Sequence, residues 1–293
     1  YTCMNSVKFH FHGKAAHAAG HPFDGRSALD AVELMNVSAN YMREHVKPDV
    51  RLHYATICSC APNVVPDECS VWYYIRAPKR KDVDEVYSWL VDCAKGAALM
   101  TQTKFDIEFL TGCSEVMPND VLEKVMLQAY KDTGAPKFTP EDYEFAKKMA
   151  ETYPEVLARD RRIMKEEYGV NGDDKFLCDV VFDKVIEDRL VAPGSTDVGD
   201  VSHVVPTYQI YVAGQGIGCP GHSWQMTAYS GSHVGFASML CAAKVLGLSG
   251  LRLLENPELV KEAWDNFHKN QTEPYVSPLP EGLVPDVEQV KEN

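Results

Sequence analysis

Paired cysteines, a basic stripe and a membrane-length apolar run are all missing from this chain, and each absence narrows what it can be. Its nine cysteines are odd in number, lie scattered through apolar runs (Cys58, Cys60, Cys69, Cys93, Cys178, Cys241) and form no CxxC pair. That pattern is against a disulfide framework or a structural zinc centre and points to reduced, mostly buried thiols in a cytosolic protein. The net charge is -13 and no cluster of Lys and Arg stands out. This sets aside a nucleic-acid or anionic-membrane partner, because a phosphate backbone demands clustered cations. No apolar run approaches the roughly 18 to 20 residues of a bilayer span. The first residues carry no basic head followed by an apolar stretch, so no signal peptide is read there and a cytoplasmic location is expected. Internal repeats and low-complexity segments are lacking as well.

What is present is a globular composition, 45% hydrophobic with 24% charged, and therefore a chain able to pack a core. At 293 residues it exceeds what one core usually organises, so two domains are expected. Residues 6–12 alternate Val7, Phe9 and Phe11 against Lys8, His10 and His12, the period of a strand with one buried face. Over residues 27–46 the apolar positions Ala28, Ala31, Leu34, Met35, Ala39 and Met42 recur at helical spacing, and Lys47-Pro48-Asp49 ends the run. Residues 51–60 and 68–76 read as strands, 82–100 as an amphipathic helix and 104–110 as a closing strand. The order β-α-β-β-α-β predicts a ferredoxin-like unit, four antiparallel strands with two helices on one face. One edge and the other face then need cover, which a second copy can supply. Downstream, 120–133, 231–246 and 258–270 read as helices, and 140–168 as a charged helical insertion or arm. Residues 210–213 read as a short apolar strand, and the tail beyond 272 as extended.

Chemistry-bearing residues concentrate in three places. Gly13-Lys14-Ala15-Ala16-His17-Ala18-Ala19 is a small-residue turn holding one histidine, His17. Gly194-Ser195-Thr196-Asp197-Val198-Gly199-Asp200 is a loop of small and acidic residues, and Pro220-Gly221-His222-Ser223-Trp224-Gln225 sets a histidine in a tight turn. A neutral imidazole with nearby carboxylates is what a hydrolytic dimetal site uses to hold ions and lower the pKa of bound water. The same residue types serve equally as caps and turns. Asp197 and Asp200 suit a helix N-terminus, where unpaired N–H groups favour carboxylates, as well as a role in orienting substrate. His10 and His12 share one strand face and read as exposed sheet surface rather than as a ligand pair.

The His17 motif with Gly25-Arg26-Ser27-Ala28-Leu29-Asp30-Ala31, then Asn63-Val64-Val65-Pro66-Asp67 ending at Arg76, then Gly194 to Ser202, then His222-Ser223-Trp224-Gln225 and Ala242-Ala243-Lys244-Val245, together resemble the M20 metallopeptidase/amidohydrolase family. The likeness is greatest to its aminobenzoyl-glutamate hydrolase branch. It implies an α/β dimetal hydrolase domain interrupted by an α+β lid. Residues 5–115 would be the lid, and 116–293 the C-terminal part of the catalytic domain with a helical insertion at about 138–170. It further implies hydrolysis of a small-molecule amide with a free carboxylate, an N-acyl amino acid or aminobenzoyl-glutamate-like compound. Two divalent ions (zinc, manganese or cobalt) per complete site and a homodimer formed through the lid come with it.

By the same resemblance His17 is the lid histidine that enters the partner subunit's site and donates to the carbonyl or developing oxyanion. Asn63 and Arg76 match the pair that binds the substrate carboxylate, for which a guanidinium fork is well shaped. Ser195, Thr196 and Asp197 fall at substrate-contacting positions and His222 at a metal ligand. The duller readings are a surface turn for His17 and Asn63 and a strand-end cation for Arg76. In the family the remaining ligands and the general-base glutamate precede the lid, and no residue here matches them. The chain is therefore expected to behave as a fragment that retains no metal and has no activity alone, with a non-catalytic dimerisation or regulatory module as the alternative. His203 stands where relatives carry an aromatic residue, and either adds a ligand or fills that space.

Overall fold

The computed structural model describes residues 1–183 and 194–283. It divides into two compact units. The first comprises Tyr1–Met117 with the described parts of Val191–Val204 and Glu273–Asn293, and the second Pro118–Leu190, as far as described, with Val205–Thr272. This departs from a single cut between residues 115 and 116. The reason is local bonding: Thr2 N donates to Gly194 O at 2.9 Å, and Tyr275 Oη donates to Asp200 Oδ1 at 3.1 Å, which ties both later segments to the first unit.

The first unit is the expected split β-α-β-β-α-β arrangement. Its elements are β1 (Cys3–His12), β2 (Ala16–His17), α1 (Ala28–Met42), β3 (Arg51–Ile57), β4 (Val64–Val65), β5 (Glu68–Ala77), α2 (Arg80–Thr101) and β6 (Lys104–Cys113). The four long strands lie in the order β3-β5-β1-β6, all antiparallel. Period-2 alternation sends Val7, Phe9, Phe11, Val71, Tyr73 and Ile75, all without solvent exposure, into one core with α1 and α2. Phe9 meets Tyr73 edge-on, with ring centroids 6.0 Å apart. α1 starts where Ser27 Oγ accepts from Asp30 N at 3.1 Å, a side-chain cap for an otherwise unpaired donor. α2 stops at Gln102, whose φ of 57° turns the chain out of the helix. The opposite sheet face is polar, as read from the alternation. There His12 pairs with Glu68 and Asp106, and His10 with Glu108 and Ser70. Hydrogen bonds from His12 to Glu68 and Asp106 raise its pKa above the ordinary histidine value.

The first unit also contains α6 (Val198–Ser202). The second consists of α3 (Asp120–Thr133), α4 (Pro140–Ala150), α5 (Pro154–Glu166), α7 (Trp224–Ser230), α8 (His233–Glu255) and α9 (Pro257–Asn270). Asn119 caps α3, accepting from Leu122 N and donating to Ala263 O of α9 at 2.8 Å. The stretch read as one charged insertion or arm is two helices broken before Pro154. It does not stand off, because Ala146, Met149, Ala150, Tyr153 and Leu157 form a core with Leu177, Tyr229 and Val234. His233 Nδ1 pairs with Asp142 Oδ2 at 2.7 Å. Burial would raise the Asp142 carboxyl, but the bonds from Thr139 and His233 hold its pKa below the usual range.

Two expectations for this unit are corrected. Residues 210–213 form no strand; an apolar run becomes a strand only against a ladder partner, and no described strand belongs to this unit. The reading that no segment is long and apolar enough to span a bilayer also fails. α8 has 23 residues with mean hydropathy 1.6, enough by length and composition, with 28% of that window buried. Its Gly, Ala and Ser residues break the apolar run to the eye yet barely lower the average. Its buried positions Val234, Ser238, Cys241, Val245 and Ser249 follow helical spacing and give it the packed stripe of a core helix.

Candidate active-site surfaces

His17 is held by a two-strand ladder that stands beyond the end of the main sheet. Gly13 N donates to Asp67 O at 2.7 Å, and Ala16 and His17 then pair with Val65 and Val64. Ala18 N donates to Asn63 O at 3.0 Å, which puts Asn63 beside His17 although 46 positions separate them (63 − 17). Both side chains belong to exposed residues. The packing beneath is tight: a Cβ on Gly25 would lie 2.9 Å from both Ala16 Cβ and Val65 Cγ1.

The ring of His17 is oriented by its own turn. Ala19 N and Gly20 N both donate to His17 Nδ1, at 3.2 and 3.0 Å. Nδ1 is thus the acceptor, and in the neutral imidazole the proton sits on Nε2. The turn therefore prepares an exposed N–H donor, the form needed to meet a carbonyl or oxyanion.

Arg76 is not part of this arm. β5 runs from Glu68 to Ala77, and at about 3.3 Å per residue Arg76 lies about 26 Å along the strand from Glu68, at the far end from Asn63. Its guanidinium sits 5.5 Å from the centroid of the Tyr74 ring. Ser195, Thr196 and Asp197 gather at that same end. Arg76 pairs with Met4 and Ala77 with Cys3, and the adjoining Thr2 shares a 3.1 Å hydrogen bond with Ser195 Oγ. Asp197 occupies the N-cap position of α6 without a side-chain capping bond, while Thr196 Oγ1 donates to its Oδ1. Asp200 is a tether, accepting from Ser114 N at 3.2 Å and from Tyr275 Oη. His203 Nε2 bonds Glu115 O at 3.0 Å and its ring stacks on Tyr275. The site residues of the first unit thus fall into two groups at opposite ends of one sheet: His17 with Asn63, and Arg76 with residues 195–197.

His222 belongs to the second unit and is exposed, with φ of 54° in the turn before α7. Ser223 closes that turn, donating to Pro220 O at 2.7 Å and capping Met226 N. Among the described residues no group of three or more His, Cys, Asp and Glu side chains is placed to hold a metal. A catalytic zinc-type centre takes about three protein ligands, so the described residues do not by themselves complete the dimetal centre that the family resemblance implies, and His222 could be only one of its ligands.

Sequence reading missed the anchors Ser114 and Tyr275, the acidic partners of His10 and His12, and the grouping of Cys58, Cys60 and Cys69. Period-2 placement could have suggested the acidic partners. The anchors join segments too far apart in sequence to leave a local signal.

The split sheet and the arm fall within residues 4–99, which match the peptidase dimerisation domain family. The chain is 34% identical to a p-aminobenzoyl-glutamate hydrolase subunit of Escherichia coli (strain K12), across 95% of this chain and 60% of that protein. It is 28% identical to the Xaa-Arg dipeptidase of Mus musculus, across 90% of this chain and 51% of that one. These matches show the resemblance to the M20 metallopeptidase/amidohydrolase family that the motifs carry. The chain spans between half and two-thirds of the length of these relatives. A solved aminobenzoyl-glutamate utilization protein from Klebsiella pneumoniae is 20% identical, covering 45% of this chain and 34% of that chain with a TM-score of 0.41.

Proposed function

We propose that this chain is the lid and the C-terminal catalytic segment of a metal-dependent amidohydrolase, which cleaves the amide bond of a small molecule bearing a free carboxylate. Residues 5–115 are the lid in this reading, and the chain pairs with a second copy through it. The observation that carries the reading is the His17 turn, whose two backbone donors fix an outward Nε2–H next to Asn63. In the complex this N–H donates to the amide oxygen and strengthens its bond as negative charge develops there. Asn63 offers an amide beside it, and Arg76 contributes the planar fork suited to a carboxylate. An N-acyl amino acid or aminobenzoyl-glutamate-like amide has both features. In the complete protein His222 would be this chain's ligand to two divalent ions, which would supply activated water, the other ligands being carried by residues outside this chain.

The separation of the two groups along β5 also supports assembly. A small amide cannot span about 26 Å, so His17 and Asn63 of one subunit serve a site to which Arg76 and residues 195–197 of the other contribute.

The test uses the full-length protein that contains this chain. His17→Ala should lower kcat sharply, by about 100-fold or more, with metal content intact, whereas His222→Ala should lose metal. Each homodimer is then nearly inactive. A tandem-purified heterodimer of the two variants should regain one working site of two on a carboxylate-bearing amide. Heterodimers that stay at the parental background would remove His17 from the chemistry and favour a non-catalytic dimerisation module.

A further inference from the structure

Cys58 and Cys60 lie where β3 passes into the loop that carries Asn63, and Cys69 lies on β5. Ile57 stands opposite Ser70 in the antiparallel β3–β5 pair, and one further step of the same register sets Cys58 opposite Cys69. Cys69 belongs to the buried core of the first unit and Cys58 packs against that core, so both side chains lie on the helix-covered side. Cys60 follows Cys58 by two residues on the same loop. Cys69 Sγ also lies 3.8 Å from Ile57 O, and Cys58 Sγ 3.8 Å from Glu68 O, each reaching the strand opposite its own. Opposed residues of an antiparallel pair have Cα atoms about 4.5 to 5.5 Å apart, within the roughly 4.4 to 6.8 Å that a disulfide spans. Cys60 is exposed whereas Cys69 is buried.

We propose that Cys58 and Cys69 form a disulfide under peroxide, entered through the exposed Cys60, and that this bond clamps the base of the Asn63 loop. The Cys60 sulfur attacks hydrogen peroxide, breaking the O–O bond to give a sulfenic acid and one water. The Cys58 thiol then displaces the hydroxyl of that acid, releasing the second water and forming the Cys58–Cys60 bond. Cys69 attacks Cys58 in turn, forming Cys58–Cys69 and returning Cys60 as a thiol. The net change is two thiols and one peroxide to one disulfide and two waters. The closed ring, residues 58–69, contains Asn63 and the β4 partner of His17, so the bond ties down the arm that presents both. The chemistry does not depend on the hydrolase reading.

The test treats the reduced chain with hydrogen peroxide and maps disulfides by non-reducing peptide mass spectrometry, with reversal by dithiothreitol. A Cys58–Cys69 linkage should dominate, and hydrogen exchange over residues 59–67 should slow once it forms. Cys60→Ser should slow its formation by about tenfold, and Cys69→Ser should stop the reaction at Cys58–Cys60. Circular dichroism establishes that each variant is folded. Accumulation of Cys58–Cys60 in the unsubstituted protein would overturn the proposal. So would oxidation of buried Cys241 as fast as of Cys58, or an unchanged rate in Cys60→Ser.

Discussion

The two units solve the problem of presenting a side chain in different ways. In the first, a four-stranded sheet with one buried face sets the register, and a small ladder beyond its end carries His17 and Asn63 as a fixed pair. In the second, helices and the loop residues Leu177 and Ile217 make the core, and His222 depends on a single turn with positive φ before α7. A register error in the first would invert every side chain, whereas an altered turn in the second would misplace one residue. Functional position is thus written into long-range pairing in one unit and into local backbone in the other.

The contrast breaks most visibly in the cores. Phe9 is fully buried between Tyr73 and Phe105, and Phe9→Ala should destabilise the first unit by about 3 to 5 kcal/mol. Hydrogen exchange read separately on residues 3–12 and 120–133 checks it. Loss of protection confined to the first peptide keeps the units distinct, and equal loss in both means they unfold as one.

A smaller effect is expected where the second unit relies on a cap. Asn119→Ala removes the acceptor for Leu122 N and the donor to Ala263 O, uncapping the start of α3 at a cost of about 0.5 to 2 kcal/mol. The urea midpoint, with exchange over 120–133, measures it. An unchanged midpoint would mean that the helices are held by packing alone.

The smallest effect is on the polar sheet face. Because the folded protein raises the pKa of His12 through Glu68 and Asp106, the pair contributes stability that is full below the unfolded value, about 6.5. It is lost as pH rises through the raised folded value. The pair is exposed, and screening keeps the gain small. Urea midpoints measured across that window should decline with pH, and His12→Gln should remove the decline.

The first unit was legible because both of its periods are long and clean. Val7, Phe9 and Phe11 alternate for a whole strand, and α1 and α2 are each bounded by a turn residue or proline, so boundaries fell within a few residues. In the second unit α3 was equally clear, since Asn119 and Gly134 bracket it. Residues 210–213 were misread because a short apolar run carries no record of whether a pairing partner exists. The candidate site residues can be named one by one from the sequence, but not their grouping in space. Asn63 and Arg76 share one motif in sequence, yet the extended run of β5 between them separates what the motif joins.

The backbone bonds that link His17 to Asn63 make the two a single mechanical part. A change that shifts Val65 or Ala16, such as a methyl group added at Gly25, displaces both side chains along the same vector. Selection acting on one group is therefore felt at the other, and the pair can only drift as a unit. Diversification among such lids would then come more readily through Arg76 and residues 195–197, which share no ladder with the arm.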